Sequence, residues 1–233
     1  MRFLICTVTY NREEYVRRAI DSLINNTHDS FELCIWDNNS TDGTREYLAT
    51  LHDRINKYCK RIKIHFSDKN VGKSIGMNWG MKHFNKHDAI VAIDSDIVIF
   101  DPLWLSKLYN VKNNINIDII GPNYLGGKEW SNPIMKQHDY RILRGIGVDV
   151  NLTHALPGGC VMFGKNVYES TKGYGHGAKG PYGGVDSAFN IKCLELGLIS
   201  GYTSAIKVGH PNDKRLYPQY QEYKKQVHER LRK

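Results

Sequence analysis

Over roughly the first 120 residues, short strand-like runs alternate with stretches whose apolar residues recur every three or four positions, and few folds tolerate that alternation. The runs are RFLICTVTY (2–10), FELCIWD (31–37), RIKIHFS (61–67) and DAIVAID (88–94). After the first, Val16, Ala19, Ile20, Leu23 and Ile24 fall at i, i+3, i+4, i+7 and i+8, one face of a helix. REYLATLHDRINKYC (45–59) and GKSIGMNWGMKHFN (72–85) predict two more helices. Strand and helix in turn predict an α/β fold: one Rossmann-like domain around a mixed, mostly parallel sheet with helices on both faces. In such sheets ligands gather beyond the carboxyl ends of the strands. Those ends carry Tyr10 and Asn11, Asp37, the loop SDKNVGKS (67–74) and Asp94 to Asp96.

The fourth run ends in two carboxylates, Asp94 and Asp96, separated by Ser95. Like charges raise each other's pKa and resist burial, so this pair calls for a positive partner. Hard oxygen ligands suit a divalent cation such as Mg2+ or Mn2+, which commonly takes one or two protein carboxylates and completes its shell with phosphate oxygens. The competing reading of the pair is a solvated turn.

Composition narrows the classes. With 233 residues, 41% hydrophobic and 24% charged, the chain can fill one substantial core. No apolar run approaches the roughly 20 residues that cross a bilayer, and the apolar start passes into NREE without a small-residue cleavage site, which predicts a cytoplasmic protein. Five cysteines (Cys6, Cys34, Cys59, Cys160, Cys193) lack CxxC spacing and read as buried thiols, not as a zinc or disulfide framework. The net charge of +8 favours anionic partners: a charged substrate, nucleic acid or an acidic membrane. Lys214 to Lys233 holds seven Lys/Arg against Glu222 and Glu229, so much of the excess is terminal.

Four segments in order, TVTYNREEYVRRAIDSL (7–23), WDNNSTDGT (36–44), KNVGKSIGMNWG (69–80) and AIDSDIVI (92–99), resemble the GT-A fold glycosyltransferases, especially the inverting family 2. The resemblance covers about 100 residues. It implies a nucleoside diphosphate sugar donor, most simply a UDP-sugar, with Mn2+ or Mg2+ bridging the diphosphate. By position, Thr9 and Tyr10 would line the base pocket, Asp37 would accept a hydrogen bond from base or ribose, and Asn70 with Gly72 would lie against the nucleoside. Asp94 would face ribose or metal with Ser95 beside it, and Asp96 would ligate the metal. Each position has a plainer reading: Tyr10 as cover for the sheet edge, Asp37 as the anchor of an Asx turn, Gly72 as a residue needed for positive φ. Lys73 could meet a phosphate or sit exposed in a first helical turn.

In the second half, a polar segment from Asn123 to Asn151 carries no clear pattern. Beyond it, LPGGCVMFGKNVYESTKGYGHGAKGPYGGVDSAFNIKCLELG (156–197) predicts a short strand, then six glycines within 173–184, then a helix opening at Val185 or Asp186. The stretch resembles the acceptor-side segment of galactosyltransferase-like GT-A enzymes, in which a glycine-rich loop precedes an acidic pair. Here Val185 replaces the first acid. Asp186 is therefore the candidate general base for an acceptor hydroxyl, one carboxylate being sufficient for a single displacement with inversion; its plainer reading is a helix cap. His210, after AIKVG, stands where related enzymes often place a third metal ligand. Lys214 and Arg215 could reach the diphosphate, and Trp130 could stack on a sugar.

Residues 1–122 are thus expected to bind the donor and 123–233 the acceptor, with a cell-envelope glycan or lipid-linked saccharide as acceptor. Tyr217, Tyr220, Tyr223, Val227 and Leu231 predict an amphipathic helix with a basic opposite face, suited to packing, to peripheral contact with the inner membrane face, or to nucleic acid. Two alternatives stay open: transfer to hydroxylated bases in DNA, and a basic nucleic-acid or membrane module without catalysis. A sugar nucleotidyltransferase is disfavoured, because TVTYNREE stands where its glycine-rich basic signature would be.

Overall fold

The computed structural model describes residues 1–125, 138–143, 146–154, 156–175 and 184–210. Trp130, Lys214, Arg215 and the terminal amphipathic stretch lie outside the described residues. The first half runs β1 (Arg2–Thr9), α1 (Glu13–Asn26), β2 (Ser30–Asp37), α2 (Thr44–Ala49), β3 (Cys59–Phe66), α3 (Lys73–Met81), β4 (Ala89–Ile93), β5 (Val98–Ile99) and α4 (Trp104–Ile115). The second half adds β6 (Ile119–Leu125), β7 (His138–Leu143), β8 (Ile146–Leu152), β9 (Cys160–Phe163), α5 (Lys165–Ser170), α6 (Val185–Glu195) and β10 (Ser200–Gly209).

Among the described residues one sheet has the order β3-β2-β1-β4-β9-β6-β10-β8-β7, with β5 paired to β10. Strands β3, β2, β1 and β4 are mutually parallel, as crossover helices require. Beyond them β9 runs antiparallel to both β4 and β6. Strand β6 straddles residue 122, so the donor and acceptor parts anticipated from the sequence share one sheet.

Both faces of the sheet are covered, and alternation along β1 shows it. Phe3 and Ile5 join Val16, Ile20 and Leu23 of α1 and Trp104, Leu105 and Leu108 of α4. Leu4 and Cys6 join Met77 and Met81 of α3 and Val185 and Phe189 of α6 on the other side. Helix α3 sits unusually close to the sheet because a Cβ on Gly76 would fall 2.7 Å from both Trp36 and Val8 side-chain carbons. All five cysteines are buried free thiols, as expected. No described helix is long and apolar enough to cross a membrane.

Two differences from the sequence reading have local causes. The helix expected over 45–59 stops at Ala49, passes through a 3-10 turn (Thr50–Arg54), and yields to β3. Asn56 Oδ1 accepts the backbone N–H groups of Tyr58 and Cys59, both at 2.8 Å, and this side-chain turn competes with the helical ladder. The unpatterned 123–151 segment contains the antiparallel β7–β8 hairpin, whose Asp, Asn and Gly residues hid the period-2 signal.

Leu33 is fully buried at the centre of β2. Leu33→Ala is expected to lower stability by about 2–5 kcal/mol, read as a lower urea midpoint at unchanged m-value.

Candidate active site

Strand β4 is buried end to end, and the chain leaves it in a tight turn: Asp94 N–H donates to Gly159 O at 2.8 Å, and Ile97 N–H returns to Asp94 O at 3.2 Å. The carboxylates displayed by this turn are met by cations from the chain itself. Lys73 Nζ lies 2.7 Å from Asp94 Oδ1 and 2.8 Å from Asp186 Oδ1, so one ammonium spans both. Arg12 Nη1 lies 3.0 Å from Asp96 Oδ2. Sequence reasoning placed Lys73 among the loop residues without a firm role and passed over Arg12. The usable signal was that each is a basic residue at the carboxyl end of a strand, facing a site already known to be acidic.

The backbone is bent to make these contacts. Asn11 and Arg12 adopt φ of 53° and 67°, a left-handed conformation that Asn tolerates and Arg seldom takes. Holding Arg12 there costs on the order of 1–3 kcal/mol, and its ion pair with the largely buried Asp96 offsets that strain. Gly72, at φ 89° and ψ 164°, immediately precedes Lys73 at the start of α3, which supports the positive-φ reading of that glycine.

Asp186 occupies the first turn of α6, where the helix dipole favours a carboxylate. No side chain caps α6, whose N-cap is Gly184, so Asp186 is not acting as the cap. Its Oδ1 accepts from Lys73 and from the Tyr174 hydroxyl at 2.9 Å, while the side chain keeps 38% of its surface open. The carboxylate lies directly over Gly158, where an added Cβ would be 1.8 Å from Asp186 Cγ. Any other residue at 158 would push the acid away. Tyr174 is buried among Phe163 and Phe189, with its backbone clamped by Asn78 through a 2.8 Å bond to its N–H and a 3.0 Å bond to its C=O. Burial, then the negative charge of Asp186 and Asp94, push the Tyr174 phenol well up, so it stays a donor. Tyr174 was not singled out from the sequence; it is the one aromatic inside KGYGHG, and glycine neighbours mask it.

Burial pushes the Asp94 carboxyl up to about 6, against the pull of Lys73 and with Asp186 and Asp96 adding to the rise. Burial pulls the Lys73 ammonium down, but Asp94 and Asp186 outweigh it and the net shift is upward. Lys73 is therefore a fixed charge. The donor set of Asp94 and Asp96 is hard oxygen, and Asp94 keeps 32% of its side-chain surface open. Ser95 Oγ between them is buried with no hydrogen-bond partner among the described residues. Among the described residues no three carboxylates, imidazoles or thiolates converge as a ligand set, so the fit of a divalent cation rests on these two hard-oxygen acids and the hydroxyl between them.

The remaining anticipated residues fall around the same rim. Thr9 and Asp37 are both fully buried; Thr9 Oγ1 donates to Asp37 Oδ1 at 3.1 Å. Asp37 Oδ2 accepts from Ser40 N–H at 3.1 Å, an Asx-type turn, and pairs with Arg45 Nε at 2.8 Å. Both residues thus lie beneath the rim surface, whereas Tyr10 is exposed on it. Asn70 Oδ1 accepts from Asn38 Nδ2 at 2.7 Å and from Gly72 N–H at 3.1 Å, tying together the loops after β2 and β3. His210 directly follows Gly209, which pairs with Val98 just past Asp96, and its ring packs edge-on against Tyr124.

Residues 4–171 match the family described as "Glycosyl transferase family 2". An uncharacterized glycosyltransferase of Haemophilus influenzae is 32% identical over 149 residues, which are 57% of this chain and 43% of that protein. This chain therefore spans less than half the length of that relative. Among solved structures, Staphylococcus aureus TarS 1-349 in complex with UDP-GlcNAc superposes with a TM-score of 0.65 at 16% identity, over 90% of this chain and 58% of that one. The mannosyltransferase PcManGT of Pyrobaculum calidifontis, in complex with GDP-Man and Mn2+, gives 0.67 at 14%, over 90% and 56%. At such identities the likeness establishes the fold, a GT-A arrangement. With the family match covering well over half its length, the chain belongs to glycosyl transferase family 2.

Proposed function

We propose that this chain transfers a hexose from a nucleoside diphosphate sugar, most simply a UDP-sugar, to an acceptor hydroxyl with inversion at the anomeric carbon. The observation that carries the reading is the single ammonium of Lys73 held between Asp94, at the diphosphate end of the site, and Asp186, the candidate base. A fold built to keep those two carboxylates one lysine apart suits a reaction in which a hydroxyl loses its proton near a departing diphosphate. TarS with UDP-GlcNAc and PcManGT with GDP-Man and Mn2+ support the donor class.

In this reading residues 1–122 hold the donor. Tyr10 covers the base, Thr9 and Asp37 brace the pocket from beneath, and Asn70 and Gly72 shape its floor. Asp94 and Asp96 would hold Mn2+ or Mg2+, with Ser95 between them and His210 as third ligand; the ion would neutralise charge developing on the diphosphate. Lys73, already within reach of Asp94, shifts toward the phosphate oxygens as they arrive, and Asp186 then exchanges an ammonium for the acceptor hydroxyl. Tyr174 keeps Asp186 oriented throughout. The acceptor part, 123–233, presents the hydroxyl of a cell-envelope glycan or lipid-linked saccharide.

A hydrolysis screen of UDP-, GDP- and dTDP-sugars with and without Mn2+ tests the donor half without knowledge of the acceptor. Turnover of one donor, abolished in Asp96→Ala, is expected; no turnover of any donor would overturn the reading. Asp186→Asn is expected to bind that donor as the parent does and to transfer at least about 100-fold more slowly. Equal rates would remove Asp186 from the mechanism.

The raised Asp94 carboxyl sets a pH window. A carboxyl whose folded pKa, about 6, exceeds its ordinary value takes up its proton first in the folded state. Stability from that protonation is complete below about pH 4 and lost as pH rises through about 6. Thermal unfolding of the parent is expected to fall in temperature across that window, and Asp94→Asn to flatten the fall. Donor hydrolysis, which needs the ionised form, rises through the same window, and excess Mn2+ moves the rise to lower pH.

A further inference from the structure

At the opposite end of the sheet, where strands β1 to β3 begin and the 82–88 loop leads into β4, a groove of about 630 Å3 is lined by Arg2, Lys60, Arg61, Lys63, Lys82 and Lys86. Glu32 is the one carboxylate among its lining residues, and it is already shared by Arg2 at 3.0 Å and Arg61 Nε at 2.8 Å. Lys63 makes no ion pair among the described residues: its Nζ lies 3.2 Å from His83 Nδ1. An ammonium can only donate, so His83 Nδ1 accepts and Nε2 carries the ring proton. His87 repeats the pattern. Its Nδ1 accepts the Asn85 N–H at 3.3 Å, which leaves the proton on Nε2, and the nearest carboxylate oxygen, Glu32 Oε1, is 3.6 Å away, too far for a hydrogen bond. Both Nε2 atoms are buried; His83 Nε2 has no hydrogen-bond partner among the described residues, whereas His87 Nε2, on a side chain only 3% exposed, faces the Glu32 carboxylate. Trp79 and Phe84 pack against the two rings and hold them in place.

A buried His83 N–H without an acceptor among the described residues, in a groove where six lysines and arginines surround the single carboxylate of Glu32, is suited to meet an oxyanion. We propose that this groove is a second binding site, for the phosphate group of a phosphorylated small molecule or of a phospholipid headgroup. Its volume is that of a small-ligand site. It is separate from the catalytic rim: β1 alone carries the chain roughly 23 Å from Arg2 to Thr9, taking about 3.3 Å per residue. The site therefore does not depend on the donor reading, and its occupant is not the donor's diphosphate.

Inorganic pyrophosphate, titrated without divalent cation and followed by 1H–15N NMR, is expected to move the His83 and His87 imidazole signals together with the amides of 82–88. The double variant Lys82→Glu/Lys86→Glu reverses two exposed charges outside the catalytic machinery. It is expected to weaken that binding at least about tenfold while donor hydrolysis stays at the parental rate. His83→Phe, which keeps the ring packing and removes the N–H, is expected to weaken it too. Cosedimentation of the parent with phosphatidylglycerol vesicles but not phosphatidylcholine vesicles, lost in the double variant, identifies a headgroup as the source. Pyrophosphate binding without cosedimentation identifies a soluble ligand. Shifts confined to the Asn70–Asp96 rim, no shifts at millimolar pyrophosphate, or binding unchanged in both variants would overturn the proposal.

Discussion

The Lys73 ammonium is the point on which the two halves of the molecule meet. It belongs to α3, in the first half of the chain, yet one of its two carboxylates, Asp94, ends a central strand, and the other, Asp186, opens a helix more than 110 residues later in the chain. A partly buried cation shared by two acids ties both to one point, and it stays paired with one of them if the other is neutralised. The bridge therefore fixes where α6 starts relative to β4. Gly158 completes the arrangement by letting the Asp186 carboxylate rest on bare backbone, and Tyr174 completes it by donating to the same oxygen.

Electrostatically, the rim is a cluster of acids held by resident cations. Lys73 and Arg12 let Asp94, Asp96 and Asp186 gather, while burial, with Asp186 and Asp96 adding, keeps the carboxyl of Asp94 raised. In the proposed reading the negative excess of the rim would draw a divalent cation, and Lys73 would turn to an arriving phosphate. Both properties follow from using two monovalent side chains on long stems where a rigid pair of buried contacts would have locked the carboxylates.

Much of this was legible in the sequence, and the reasons differ by element. The α1 stripe Val16, Ala19, Ile20, Leu23 and Ile24 is buried as the 3.6-residue period required, and the continuously apolar runs became β1, β2 and β4, buried on both faces, while the alternating RIKIHFS became the half-exposed outer strand β3. The convergence of strand ends gave the rim. What could not be read was pairing between distant side chains: nothing in NREE marks Arg12 for Asp96 across 84 residues, and nothing in KNVGKS marks Lys73 for Asp186. The β7–β8 hairpin was hidden by its polar composition, and Thr9 and Asp37 sit deeper than their motif suggested, since a sequence shows that a residue ends a strand but not how far beneath the surface it ends.

The net charge of +8 also becomes interpretable. From composition it could be assigned to the terminal stretch or to no place in particular. Within the described fold part of it gathers in one groove near the start of β1 to β3, where six Lys and Arg surround a single lining carboxylate, Glu32. Surface lysines scattered for solubility would not leave the His83 N–H buried and unanswered beside them, since such a donor costs about 1–3 kcal/mol unless something accepts from it. The imbalance at the amino ends is therefore better understood as a binding feature than as a solvating coat.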